Sequence, residues 1–142
     1  MCAVILFVEL RQMRVSDLSL TERKLTHSII GAALVIHRTV GPGLLESVYE
    51  ECLAYELTER GFAIERQPER PFVYRGVRLA VAYKPDLVVE RCVVVELKTV
   101  ERFIPVHTAQ LLTYLKLERL HVGLLLNFNS VLLANGIKRV VL

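Results

Sequence analysis

The feature that most limits what this chain can become is the run Val122–Phe128, VGLLLNF, in which Asn127 is the one polar residue. An amphipathic helix leaves a polar stripe for solvent, and a half-exposed strand alternates. A short run that does neither reads as a central strand covered on both faces. The chain is therefore expected to build an α/β sandwich, with helices over a central sheet.

The rest of the pattern supplies those helices. Ser19-Leu20-Thr21-Glu22 is a capping box, in which Ser19 and Glu22 satisfy each other's end amides. It predicts a helix to about Thr39, with Leu25, Ile29, Ala32, Ala33 and Ile36 on its apolar stripe. Gly41-Pro42-Gly43 breaks it, and a second helix is expected from Leu44 to Arg60, closed by Gly61. Beyond Gly61 the period becomes two. Phe62–Gln67, Pro71–Arg75 and Val77–Ala82 read as strands, as do Asp86–Glu90 and Cys92–Lys98 around a tight turn at Glu90-Arg91. Val77–Ala82 and Asp86–Glu90 read as one strand, or as two with a break near Pro85. A third helix follows over Val106–Leu117, and a last strand over Ile137–Leu142.

The chain has 142 residues, which fits one domain. Residues 18–142 read as that domain and 1–17 as an N-terminal extension. The opening MCAVILFVEL lacks a basic leader and a small-residue cleavage site, and Met13 stands as a second start. Residues 1–12 thus read as an added piece, or equally as an extra edge strand. No apolar run approaches the ~20 residues that a membrane helix needs. A net charge of +3 permits a polyanionic partner without requiring one. Three cysteines without a CxxC pair argue against a disulfide framework or a zinc site and point to a cytoplasmic protein.

The chemistry concentrates in Lys84–Lys98, KPDLVVERCVVVELK. Strand side chains alternate, so Glu96 and Lys98 share one face while Val95 and Leu97 share the other. The Glu90-Arg91 turn makes the two strands antiparallel neighbours, which lets Asp86 approach Glu96. Two converging carboxylates near a backbone carbonyl make a hard oxygen site of the kind Mg²⁺ accepts. A lysine beside them can orient water or offset charge at phosphorus. Glu46 opens the second helix, where an acid also suits the helix dipole, and shares a face with Tyr49. Glu50, one turn on, reads as solvated. Gln110 and Tyr114 share a face of the third helix, with His107 one turn earlier. His27, His37 and His121 read as structural or surface groups. Arg66, Arg70, Arg75, Arg78, Lys84 and Arg102 read as a phosphate-contacting rim or as a scattered solvated surface. Asn127 and Asn129 read as organising a turn.

With these residues in place the chain resembles the GxxExxY proteins, a branch of the PD-(D/E)xK (restriction-endonuclease-like) nuclease superfamily. The resemblance rests on GLLESVY (Gly43–Tyr49), Pro85-Asp86, Glu96-Leu97-Lys98, HTAQLLTYLKL and the closing LLLNFNSVLLANGIKRVVL. It spans about Leu18 to Leu142. It implies an αβββαβ core with a mixed sheet flanked by helices. It also implies Mg²⁺ or Mn²⁺ on Asp86, Glu96 and the Leu97 carbonyl, with Glu46 as a supporting acid. Lys98 would position the attacking water, and Gln110 and Tyr114 would line the site or touch the nucleic-acid backbone.

The expected activity is metal-dependent hydrolysis of nucleic acid, DNA rather than RNA. The competing expectations are a catalytically silent nucleic-acid-binding module and a structural homodimer formed through the apolar first helix or the final strand.

Overall fold

The computed structural model describes residues 14–142. The reading of residues 1–12 as an added piece or edge strand lies outside the described residues. Ahead of the first helix, Val15–Asp17 forms a single 3-10 turn, and Leu18 is the first residue to enter the core.

Helix α1 spans Leu20–Val40 and begins on the expected capping box. Ser19 Oγ accepts from the Glu22 amide at 3.1 Å, and the Glu22 carboxylate accepts from the Ser19 amide at 2.7 Å. Losing such a cap costs about 1 kcal/mol. Helix α2 spans Glu46–Glu59 and helix α3 spans Pro105–Glu118. The strands are β1 (Ile64–Arg66), β2 (Arg70–Tyr74), β3 (Val77–Tyr83), β4 (Leu87–Val89), β5 (Val93–Lys98), β6 (Val122–Asn127) and β7 (Ile137–Val141). Helix α2 starts later than the sequence pattern indicates because Leu44 and Leu45 are held in the turn before it.

Five strands form one mixed sheet in the order β1-β4-β5-β6-β7. The β5–β6 pair is parallel, with α3 as its crossover, and the other neighbours are antiparallel. Every residue of β6 is buried. One sheet face, with Val95, Leu97, Leu124 and Leu126, packs on Ile29 of α1 and on Leu53 and Leu57 of α2. The other face, with Val88, Val94 and Leu125, packs on Leu111 and Leu115 of α3. Each such leucine contributes roughly 1.5–3 kcal/mol by leaving water. The order α2, β1, β4, β5, α3, β6 is the αβββαβ core.

Gly123 of β6 sets how closely α3 approaches. A Cβ there would stand 2.7 Å from one Leu111 methyl and 2.9 Å from the other. The absent side chain lets Leu111 seat on the backbone of the central strand.

Strands β2 and β3 pair only with each other and stand apart from the main sheet. The segments Val77–Ala82 and Asp86–Glu90 are therefore two strands in two different sheets. The ribbon is tied down at its base. Arg70 binds Glu65 and Glu118, each at 3.0 Å, and the Tyr83 ring lies 5.9 Å from that of Tyr114. Among the described residues no helix is long and apolar enough to cross a membrane.

Candidate active site

Strand β4 stops being a ladder at Leu87, which pairs with Val95. At the next position the two acids take over. The Asp86 amide donates to Glu96 Oε1 at 2.9 Å, and the Leu97 amide donates to Asp86 Oδ2 at 2.9 Å. Asp86 thus lies one residue before its strand. This exchange draws the two carboxylates together on the α3 side of the sheet, alongside Val88 and Val94. Leu97 buries its side chain in the opposite face. Because an extended residue points its N–H and C=O to the same strand edge, the Leu97 carbonyl faces the Asp86 side.

The electrostatics follow from burial. Glu96 is 3 % exposed, and its carboxyl is pushed up to about 8, first by desolvation and then by the charge of Asp86. Asp86 is also raised, chiefly by burial, against the pull of the Leu97 amide bond. Two neighbouring carboxyls, one buried and the other partly so, resist ionising together.

Lys98, two residues along β5, points its ammonium across to α3 and donates to Gln110 Oε1 at 3.3 Å. Gln110 Nε2 in turn reaches Tyr114 Oη at 3.4 Å. The Tyr114 hydroxyl is raised by burial and then by the charges of Glu96 and Asp86. Glu46, half-buried in the first turn of α2, is raised by burial and then by Asp86, while Lys98 acts in the opposite sense. The structure therefore gathers Asp86, Glu96, Lys98, Glu46, Gln110 and Tyr114 into one neighbourhood.

The conformation of GLLESVY explains how Glu46 gets there. Gly41 and Gly43 turn the chain with φ of 73° and 95°. Tyr49 is fully buried, stacks on Phe128 at 4.5 Å, and ties the turn from inside. Its hydroxyl donates to Gly41 O at 2.6 Å and accepts from the Leu44 amide at 3.1 Å.

Three groups do something the sequence pattern does not convey. Glu50 is buried at 6 % exposure rather than solvated, and its charge raises Asp86. Gln67 sits at φ 42°. Its backbone amide donates to the Asp86 carbonyl at 2.8 Å, and its side chain donates to Glu50 at 3.0 Å. Asn127 clasps the segment after β5: its side chain accepts from the Val100 amide at 3.1 Å and donates to the Val100 carbonyl at 2.8 Å. The i+4 spacing of Glu46 and Glu50 signals a shared face, but the burial of Glu50 depends on Arg66 at the end of β1 and on Gln67 just after it, 17 positions away.

Other candidates fall into structural roles. His107 Nδ1 accepts from the Ile104 amide and caps α3. His37 bonds the Ser130 carbonyl at 2.8 Å, and His121 bonds Glu22 at 3.0 Å. Arg66 is engaged by Glu50 and Glu51, and Arg70 by Glu65 and Glu118. These two belong to ion-pair networks rather than to a free phosphate rim.

Among the described residues no three His, Cys, Asp or Glu side chains cluster so as to hold a metal by themselves. The local donor set is two carboxylates and a backbone carbonyl. No curated protein and no solved structure matches the chain significantly. A family model for the PD-(D/E)XK nuclease superfamily matches residues 23–140, which takes in α2, β1, β4, β5, α3 and β6, and so every residue of this site. On the strength of that match and this fold, the chain belongs to the PD-(D/E)XK nuclease superfamily.

Proposed function

We propose that the chain hydrolyses phosphodiester bonds in nucleic acid, DNA in preference to RNA, with Mg²⁺ or Mn²⁺ as cofactor, and that it lies in the GxxExxY branch. The observation that carries this reading is the Asp86–Glu96 pair, with Glu96 buried and Asp86 partly so, held by the exchange of backbone amides. Two neighbouring carboxyls drawn out of water are costly alone. A dication beside them relieves that cost, and the Leu97 carbonyl adds a third hard oxygen. The residues therefore fit the ion.

When bound, the ion would polarise the phosphate and lower the pKa of a water. Asp86, Glu96 and the Leu97 carbonyl would hold it, and Glu46 would support it from one step further out. Lys98 is positioned beside the acids, with Gln110 fixing the ammonium. It orients the attacking water and offsets charge gathering on the phosphate oxygens. Gln110 and Tyr114 bound the site on the α3 side and contact the substrate backbone.

The test is cleavage of DNA and RNA with Mg²⁺, Mn²⁺ or EDTA. Metal-dependent cleavage is expected, falling on the order of 10²–10³-fold in Lys98→Ala. Metal-dependent cleavage that survives Asp86→Ala and Lys98→Ala unchanged would contradict the assignment.

The Glu50–Gln67 link positions Asp86 without touching the ion. Gln67→Ala is expected to weaken Mn²⁺ affinity roughly 10–100-fold, as loss of a supporting contact does. Titration calorimetry reads this directly, and unchanged affinity would show that the link is only structural.

A further inference from the structure

The β2–β3 ribbon is the largest feature left without a role. It lies outside the main sheet, and Val77–Ala82 of β3 is exposed throughout. From Pro71 to Lys84 it carries Arg75, Arg78 and Lys84 and no acidic residue. Lys84 has a loose ion pair with Glu69 at 3.8 Å, both side chains being largely exposed. The tip is a two-residue turn, Arg75-Gly76, with φ of 51° and 77°. A non-glycine residue in that region gives up roughly 1–2 kcal/mol of backbone energy. The turn sets Arg75 over the exposed Tyr74 ring, 5.6 Å from its centroid.

The ribbon also leads to the acids. Strand β3 ends at Tyr83, against Tyr114, and Asp86 follows three residues later. A two-stranded ribbon is one of the shapes that the major groove of a duplex admits. Its seven-residue strand spans roughly 20 Å at ~3.3 Å per residue.

We propose that the β2–β3 ribbon grips the sugar-phosphate backbone of duplex nucleic acid through Arg75, Arg78 and Lys84, feeding one strand to Asp86 and Glu96. This rests on the phosphodiesterase reading above. The competing occupant is a second copy paired along the β3 edge, because Val77, Leu79 and Val81 are exposed along it. Charge decides between them. Self-pairing would gather the cations of two ribbons with no acid in the Pro71–Lys84 segments to offset them, whereas a polyanion complements them.

The probe is a fluorescently labelled duplex, titrated by anisotropy in EDTA over a range of salt. The double variant Arg75→Ala/Arg78→Ala is expected to bind at least tenfold more weakly at moderate salt. The slope of log K against log salt should fall by about two, one per lost phosphate contact. In the cleavage assay the variant should raise KM and leave kcat within about twofold, as loss of uniform binding does. Arg23→Ala/Lys24→Ala on α1 should leave all of these unchanged. The proposal is overturned if the double variant binds the duplex with the affinity and salt slope of the parent chain. It is also overturned if sedimentation finds a dimer that Val81→Asp dissociates and that excess duplex leaves intact. Ribbon-dependent binding without cleavage would instead sink the nuclease reading and leave the grip standing. Cleavage with ribbon-independent binding would do the reverse.

Discussion

Replacing Glu96 with Gln should abolish cleavage and yet stabilise the metal-free protein at neutral and higher pH. On the proposed reading, the loss of activity, on the order of 10³-fold or more, follows from taking away one of the two carboxylates that would hold the ion. The gain in stability follows from linkage. The Glu96 carboxyl is pushed up to about 8 in the fold, against an ordinary 4.5. Between those values the folded chain holds more protons than the unfolded one, so stability falls as pH rises through the window. Gln cannot ionise, can still accept from the Asp86 amide, and offers an N–H to the Asp86 carboxylate. Melting curves from pH 5 to 9 should show the variant pulling ahead of the parent chain as pH climbs. Mg²⁺ or Mn²⁺ should raise the Tm of the parent, more at pH 8 than at pH 6, because bound metal displaces the proton. The variant should show little of that shift. Parallel melting curves across the whole range would mean that Glu96 ionises freely.

The second large effect is expected at Tyr49. Tyr49→Ala removes a fully buried ring stacked on Phe128, at about 3–5 kcal/mol. In a domain stable by roughly 5–15 kcal/mol, that is a large share of the whole. Tyr49→Phe keeps the ring and deletes only the bonds to Gly41 and Leu44. It should cost about 1–2 kcal/mol. Its activity should drop further than stability alone accounts for, because the Gly41–Leu44 turn delivers Glu46. Urea melts and single-turnover cleavage on the same preparations separate the two effects. A Phe variant with full activity would show that the turn holds its shape without the hydroxyl.

Much of this arrangement is legible before folding because it is local. The capping box at Ser19, the stop at Gly41 and the two-residue turn at Glu90-Arg91 each need only a few neighbours in sequence. The Asp86–Glu96 encounter spans ten residues and one hairpin, so alternation alone brings it within reach. What escapes has long sequence separation. Glu50 looks like a wet helix residue until Gln67 and Arg66 close over it. Arg66 and Arg70 look free until their acids on other elements are known. Val77–Ala82 has the composition of a sheet strand, and nothing in its alternation says whether its partner is the main sheet or β2. His107 looks like a neighbour of Gln110 because helical spacing shows which face it shares but not that its ring nitrogen takes the Ile104 amide.

The missing side chain at Gly123 reaches further than its own contacts. Leu111, which occupies that space, lies between Gln110 and Tyr114 on the same helical turn. A methyl group on β6 would press on both Leu111 methyls, so either that side chain must turn aside or the helix carrying it must back off. In the second case Gln110, the neighbour of Leu111, would move with the helix, away from the Lys98 ammonium.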